Sequence, residues 1–160
     1  MKALNTLTVQ DMMWVNMQIC KGQQPWNYAT LEEATFNQYS YGESADLVGQ
    51  AARFVTGFVK LMPFRTGNEA TAFVGLVAFL GMNGYDLHID DEGALEWVTS
   101  VWVDGTVDGA KAKLEVLVEE HDLHLHHGVP DVRGIMGDVL ARFPKTVSAL
   151  TQSGHTAALI

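Results

Sequence analysis

The chain is short of cations, of cysteine and of long apolar runs. Its 160 residues carry 10 Lys and Arg against 19 Asp and Glu, a formal net charge of -9. Such a balance repels a phosphate backbone and offers no broad basic footprint, which argues against direct contact with nucleic acid. From Thr66 to Ala110 there is no Lys or Arg at all, while Glu69, Asp86, Asp90, Asp91, Glu92, Glu96, Asp104 and Asp108 are acidic. Cys20 stands alone in a helical pattern, so no disulfide framework exists and a reducing compartment fits best. The longest apolar stretch, Ala70 to Met82, is shorter than the roughly 20 residues that span a bilayer, and Met1 to Thr6 lacks a signal-peptide run. The expectation is a soluble, cytoplasmic protein that touches neither membrane nor nucleic acid.

What is present is enough apolar residue, 48% of the chain, for one packed core. One domain spanning 1–160 is the default, with no repeat or low-complexity tract. Thr8-Val9-Gln10-Asp11 resembles a capping box and opens a helix to about Cys20, ended by Gly22. Pro25 to Tyr28 reads as loop, and Thr30-Leu31-Glu32-Glu33 as a second capping box starting a helix to about Tyr39. From Ser44, apolar residues at Leu47, Val48, Ala51, Phe54, Val55, Phe58 and Val59 form the stripe of an amphipathic helix that Pro63 stops. The next helix, Asn68 to Met82, has no polar face and should be the buried centre of the molecule, with Gly75 and Gly81 permitting close packing.

Asn83-Gly84 reads as a C-cap, and Tyr85 to Ile89 alternates like a short strand. Asp90-Asp91 caps another helix, Thr106 to about Asp122 forms a further one, and Pro130 to Phe143 a last, with Pro130 in its first turn. The pattern is all-α, a helical bundle around residues 68–82 with room for one short strand or hairpin.

Between the striped helix and the apolar one lies Met62-Pro63-Phe64-Arg65-Thr66-Gly67-Asn68. A Gly-Asn step before a helix directs backbone N–H groups and the positive dipole end to one spot, which suits a phosphate or carboxylate. Glu69 and Ala70 follow, where an anion site wants cations.

Met62 to Ala70 resembles the signature of the Fido superfamily, the Fic and Doc (death-on-curing) proteins, and Doc more closely. That motif runs His-x-Phe-x-(Asp/Asn)-(Ala/Gly)-Asn-Lys-Arg; Phe64, Gly67 and Asn68 keep it, whereas Met62, Thr66, Glu69 and Ala70 depart from it. The likeness extends upstream through Tyr41 to Leu61 and downstream through Ala70-Thr71-Ala72, Phe79-Leu80 and Asn83-Gly84-Tyr85, roughly Leu7 to Leu87 in all. It implies a Fido-like bundle and a ligand loop of Phe64, Arg65, Thr66, Gly67 and Asn68. Fic and Doc proteins transfer a nucleotidyl or phosphoryl group from a nucleoside triphosphate to a protein hydroxyl. The motif His is the base, the acidic position holds magnesium and the basic end clamps phosphate.

Each role can be tested here. The Met62 thioether has no titratable proton and cannot act as base. Thr66 is a poor sole ligand for magnesium, which prefers carboxylates with substrate phosphates. Glu69 and Ala70 turn two cations into an anion and a methyl, each change costing on the order of 1 to 3 kcal/mol against a triphosphate. Arg65 is the nearest replacement clamp, or simply a solvated loop arginine. The expectation is a decayed Doc-like protein with no catalytic residue. It would be a pseudoenzyme or the binding member of a toxin-antitoxin-like system, with an antitoxin or target protein as partner and no cofactor. The alternatives are a transferase with a relocated base, needing ATP and magnesium, or a binder of another phosphorylated ligand. On the resemblance, His, Asp, Lys and Arg restored at positions 62, 66, 69 and 70 would return magnesium-dependent ATP binding.

His121, His124, His126 and His127 form a second cluster. His121 and His124 would share a helix face and four imidazoles could bind zinc, but no Cys or HExxH-type pattern accompanies them; histidines at a helix C-terminus are the alternative. Tyr39 and Tyr41 could line a peptide groove beside the loop, whereas Trp97 and Trp102 read as core.

Overall fold

Six helix starts among the described residues follow one four-residue spacing. The computed structural model describes residues 4–36, 46–120, 125–126 and 129–153. In α1 (Val9–Cys20) the Thr8 hydroxyl accepts from the Asp11 N–H and the Asp11 carboxylate from the Thr8 N–H, the expected capping box. Asp46, Asp90, Thr106 and Asp131 precede α3 (Leu47–Leu61), α5 (Asp91–Asp104), α6 (Val107–Leu117) and α7 (Val132–Arg142). Each accepts from the N–H of a glycine three residues on, at Gly49, Gly93, Gly109 and Gly134.

The caps of two further helices differ from expectation. Asn27, not Thr30, opens α2 (Tyr28–Phe36): its side-chain oxygen accepts from the Thr30 N–H at 3.0 Å, placing Thr30 inside the first turn. The last helix, α8 (Pro144–Ser153), has no expected counterpart, because the group that caps it is remote. Asp91 accepts from the N–H groups of Lys145 and Thr146, both at 2.9 Å, and from the Thr146 hydroxyl at 2.8 Å.

The apolar helix α4 (Asn68–Gly81) is buried from Asn68 through Leu80 and packs against α1, α3, α7 and α8. It is the centre of the bundle, as its lack of a polar face requires. A methyl at Gly75 would stand 2.9 Å from Met12 Cε and Phe54 Cζ, and one at Gly81 3.2 Å from Ile135 Cγ2, so both glycines set the interhelix distance. α1 is laced to both ends of α4. At one end Asn16 Nδ2 donates to Thr66 O and Thr71 Oγ1. At the other, just upstream of α1, Asn5 and Asn83 exchange bonds of 2.7 and 2.9 Å.

Strand β1 (Tyr85–Leu87) pairs antiparallel with β2 (Val118–Glu120), and β3 (Leu125–His126) with β4 (Val129–Pro130). The fold is all-α with these short ladders. They correct two expectations. The helix from Thr106 stops at Leu117 rather than near Asp122, because Val118 turns extended to face Leu87 and Leu117 O accepts from His88 N–H. Pro130 lies in β4, and α7 starts only after Asp131. Trp97 and Trp102 pack half-buried against the core, Trp102 Nε1 donating to Val55 O at 3.1 Å. No helix among the described residues is long and apolar enough to cross a membrane.

Candidate functional site

The loop between α3 and α4 turns on two left-handed residues. Met62 (φ 46°, ψ 61°) caps α3, its N–H reaching Phe58 O at 3.2 Å, and Gly67 (φ 77°, ψ 14°) precedes α4. A non-glycine residue at such a φ costs roughly 1 kcal/mol or more, so Met62 holds a strained corner that Pro63 then prevents from continuing as helix.

Between them Phe64 is gripped on both backbone edges. On one edge it faces Trp26 in an antiparallel bridge, with Asn27 N–H on Pro63 O at 3.0 Å and Arg65 N–H on Pro25 O at 2.9 Å. On the other the Asn68 side chain accepts from Phe64 N–H at 3.0 Å and donates to Phe64 O at 2.7 Å. The carboxamide thus serves as a surrogate strand, and it is fully buried.

Thr66 and Gly67 are covered from the α1 side. Thr66 O accepts from Asn16 Nδ2 at 3.1 Å, and the Thr66 hydroxyl donates to Gln24 Oε1 at 3.0 Å. A Cβ on Gly67 would come within 2.7 Å of Cys20 Sγ and 3.1 Å of Asn16 Nδ2. The last turn of α1 fills the space on that side of Gly67. Positions 69 and 70, where the Fic and Doc motif places its cations, are interior: Glu69 is 6% exposed and Ala70 0%. Lys and Arg substituted there would enter the core rather than a phosphate site, which reverses the expectation for the restored motif.

A cavity of about 350 Å³ lies on the outer side of this corner, between α1, the segment after it and α7. Met13, Trp14, Met17, Trp26 and Phe64 supply its apolar wall. Gln10, Asn16, Gln23, Gln24 and Arg133 supply its polar groups. Of the five expected ligand residues only Phe64 lines it; Arg65 is exposed elsewhere, and Thr66, Gly67 and Asn68 lie behind the wall. The Arg133 guanidinium stands 5.6 Å from the centre of the Trp14 ring. A signal for this wall existed in α1, where Gln10, Met13, Trp14 and Met17 recur at i, i+3, i+4 and i+7 on a face separate from the buried Met12, Val15 and Ile19.

The helix expected to carry His121 and His124 ends before them, at Leu117. The side chains of His121, His124, His126 and His127, and Tyr39 and Tyr41, lie outside the described residues. Among the described residues no group of three or more His, Cys, Asp or Glu is placed to hold a metal. His88 is exposed, 3.4 Å from Glu119.

Comparison with protein-family models, with curated proteins and with solved structures gives no match to this chain.

Proposed function

We propose that this chain is a non-catalytic binding protein on a Doc-like scaffold, a pseudoenzyme or the binding member of a toxin-antitoxin-like system acting on a protein partner in the cytoplasm. The observation that carries this reading is the closed corner at residues 62–70. Asn68 is committed to the Phe64 backbone, Thr66 to Gln24 and Asn16, and Gly67 lies beneath Cys20. A transferase loop needs its amides open to phosphate, a base and a cation; here Gly67 and Asn68 are buried, position 62 is a thioether and position 69 a buried carboxyl.

Calorimetry with ATP and magnesium tests it. No saturable heat is expected, and incubation with radiolabelled ATP should label no protein. Micromolar binding that is lost on Asn68→Ala, in a variant shown to remain folded, would replace this reading with the transferase one.

A further inference from the structure

We propose that the cavity between α1 and α7 is a binding site for a small aromatic carboxylate. Its lining decides the sign of the ligand. The chain as a whole carries 19 acids to 10 Lys and Arg, yet the ten residues around this cavity include no carboxylate, and their single charge is Arg133. Among the described residues Arg133 takes part in no ion pair; its guanidinium carbon lies 5.6 Å from the centre of the Trp14 ring. A cation–π contact leaves guanidinium N–H groups for a carboxylate in the bidentate geometry that arginine favours.

The wall decides the shape. Two indoles offer flat surfaces for an aromatic ring in front of the buried Phe64, and Met13 and Met17 are flexible thioethers able to adjust to it. The volume, about 350 Å³, is at the lower end for small-molecule sites and suits one or two fused rings.

Two amides are already oriented by the corner behind them. Gln24 Oε1 accepts from the Thr66 hydroxyl, so its NH₂ is the end left to donate. Asn16 Nδ2 donates to Thr66 O and Thr71 Oγ1, so its carbonyl oxygen is the uncommitted acceptor. A ring acid that also bears an N–H matches that donor and acceptor pair. The inference stands on the cavity alone and holds whether or not the loop descends from a nucleotide site.

The probes are indole-3-acetate and its neutral counterpart indole-3-acetamide, titrated into the full chain by calorimetry and followed by the indole N–H resonances of the four tryptophans. The acid should bind saturably with a Kd at or below roughly 1 mM and shift Trp14 and Trp26 while leaving Trp97 and Trp102 in place. Arg133→Gln, an exposed position that leaves the core intact, should weaken the acid about tenfold and the amide little. Absence of saturable binding, equal affinity for acid and amide with no effect of Arg133→Gln, or shifts centred on Trp97 and Trp102 would each overturn the proposal.

Discussion

Asn68 is the residue whose removal should be felt most. Its carboxamide satisfies both the N–H and the C=O of Phe64 in a fully buried setting. Truncation to alanine strands two backbone groups at once, each worth about 1 to 3 kcal/mol when left unmade. Asn68→Ala should therefore lower the unfolding free energy by roughly 2 to 6 kcal/mol in urea titration. Asn68→Asp should be no better, since it keeps the acceptor but replaces the donor to Phe64 O with a second oxygen. A loss under about 0.5 kcal/mol for alanine, the range of a bland surface change, would show that the amide is not the support the geometry makes it. The identity of Asn68 stood out in the sequence, but its role did not. A Gly-Asn step before a helix reads equally as an anion cradle or as an internal clasp, and only the position of α1 over Gly67 separates the two.

At the scale of single elements, capping decides several boundaries and gives two tests. Gly49 and Gly93 occupy the same place in α3 and α5, three residues after an aspartate cap. A methyl at Gly49 would drive into the Asp46 carboxylate, whereas one at Gly93 meets nothing closer than Asp90 Oδ1 at 3.5 Å. Gly93→Ala should thus gain roughly 0.5 to 1 kcal/mol of helix propensity, while Gly49→Ala should forfeit most of that gain by displacing its cap. Equal shifts in melting temperature would refute the steric argument.

Asp91 gives the second test. Partial burial raises the pKa of its carboxyl, but the N–H groups of Thr146 and Lys145, the Thr146 hydroxyl and the Lys145 ammonium outweigh this and hold it below the usual value. A depressed folded pKa stabilises the native state above the unfolded value, near 4, and that contribution is lost as pH falls through the folded one. The melting-temperature gap between wild type and Asp91→Asn should be widest at neutral pH and close as pH drops below about 4. A gap independent of pH would remove Asp91 as the ionised cap of α8.

These caps also mark how far sequence reasoning reached. Thr8, Asp90 and Thr106 were legible because cap and helix are adjacent in the chain, and α4 because a helix without a polar face can only be buried. α8 was not, since its cap lies in α5, and the end of α6 was not, since pairing with Tyr85 to Leu87 overrides the helical pattern past Leu117. The cavity was half legible: its α1 stripe is periodic, while Arg133 joins it only through the packing of α1 with α7.

For the whole molecule, burial of α4 depends on every neighbour being present. α1 contributes Met12, Val15 and Ile19 to the shared core and closes the Gly67 corner. A chain beginning at Gly22 should lose cooperative unfolding and bind a hydrophobic dye, because an apolar face of α4 would meet water without a substitute. Retention of a sharp thermal transition in that truncation would show the remaining helices to be self-sufficient.

The bonds that lace α1 along α4 also set a timetable for synthesis. Asn5 waits for Asn83, 78 residues later, and Asn16 for Thr71, 55 residues later. At translation rates of about 5 to 20 residues per second, the first of these intervals is roughly 4 to 16 s. α1 is therefore made well before its partners in and beyond α4, and through that interval its apolar stripe is what a ribosome-associated chaperone would meet.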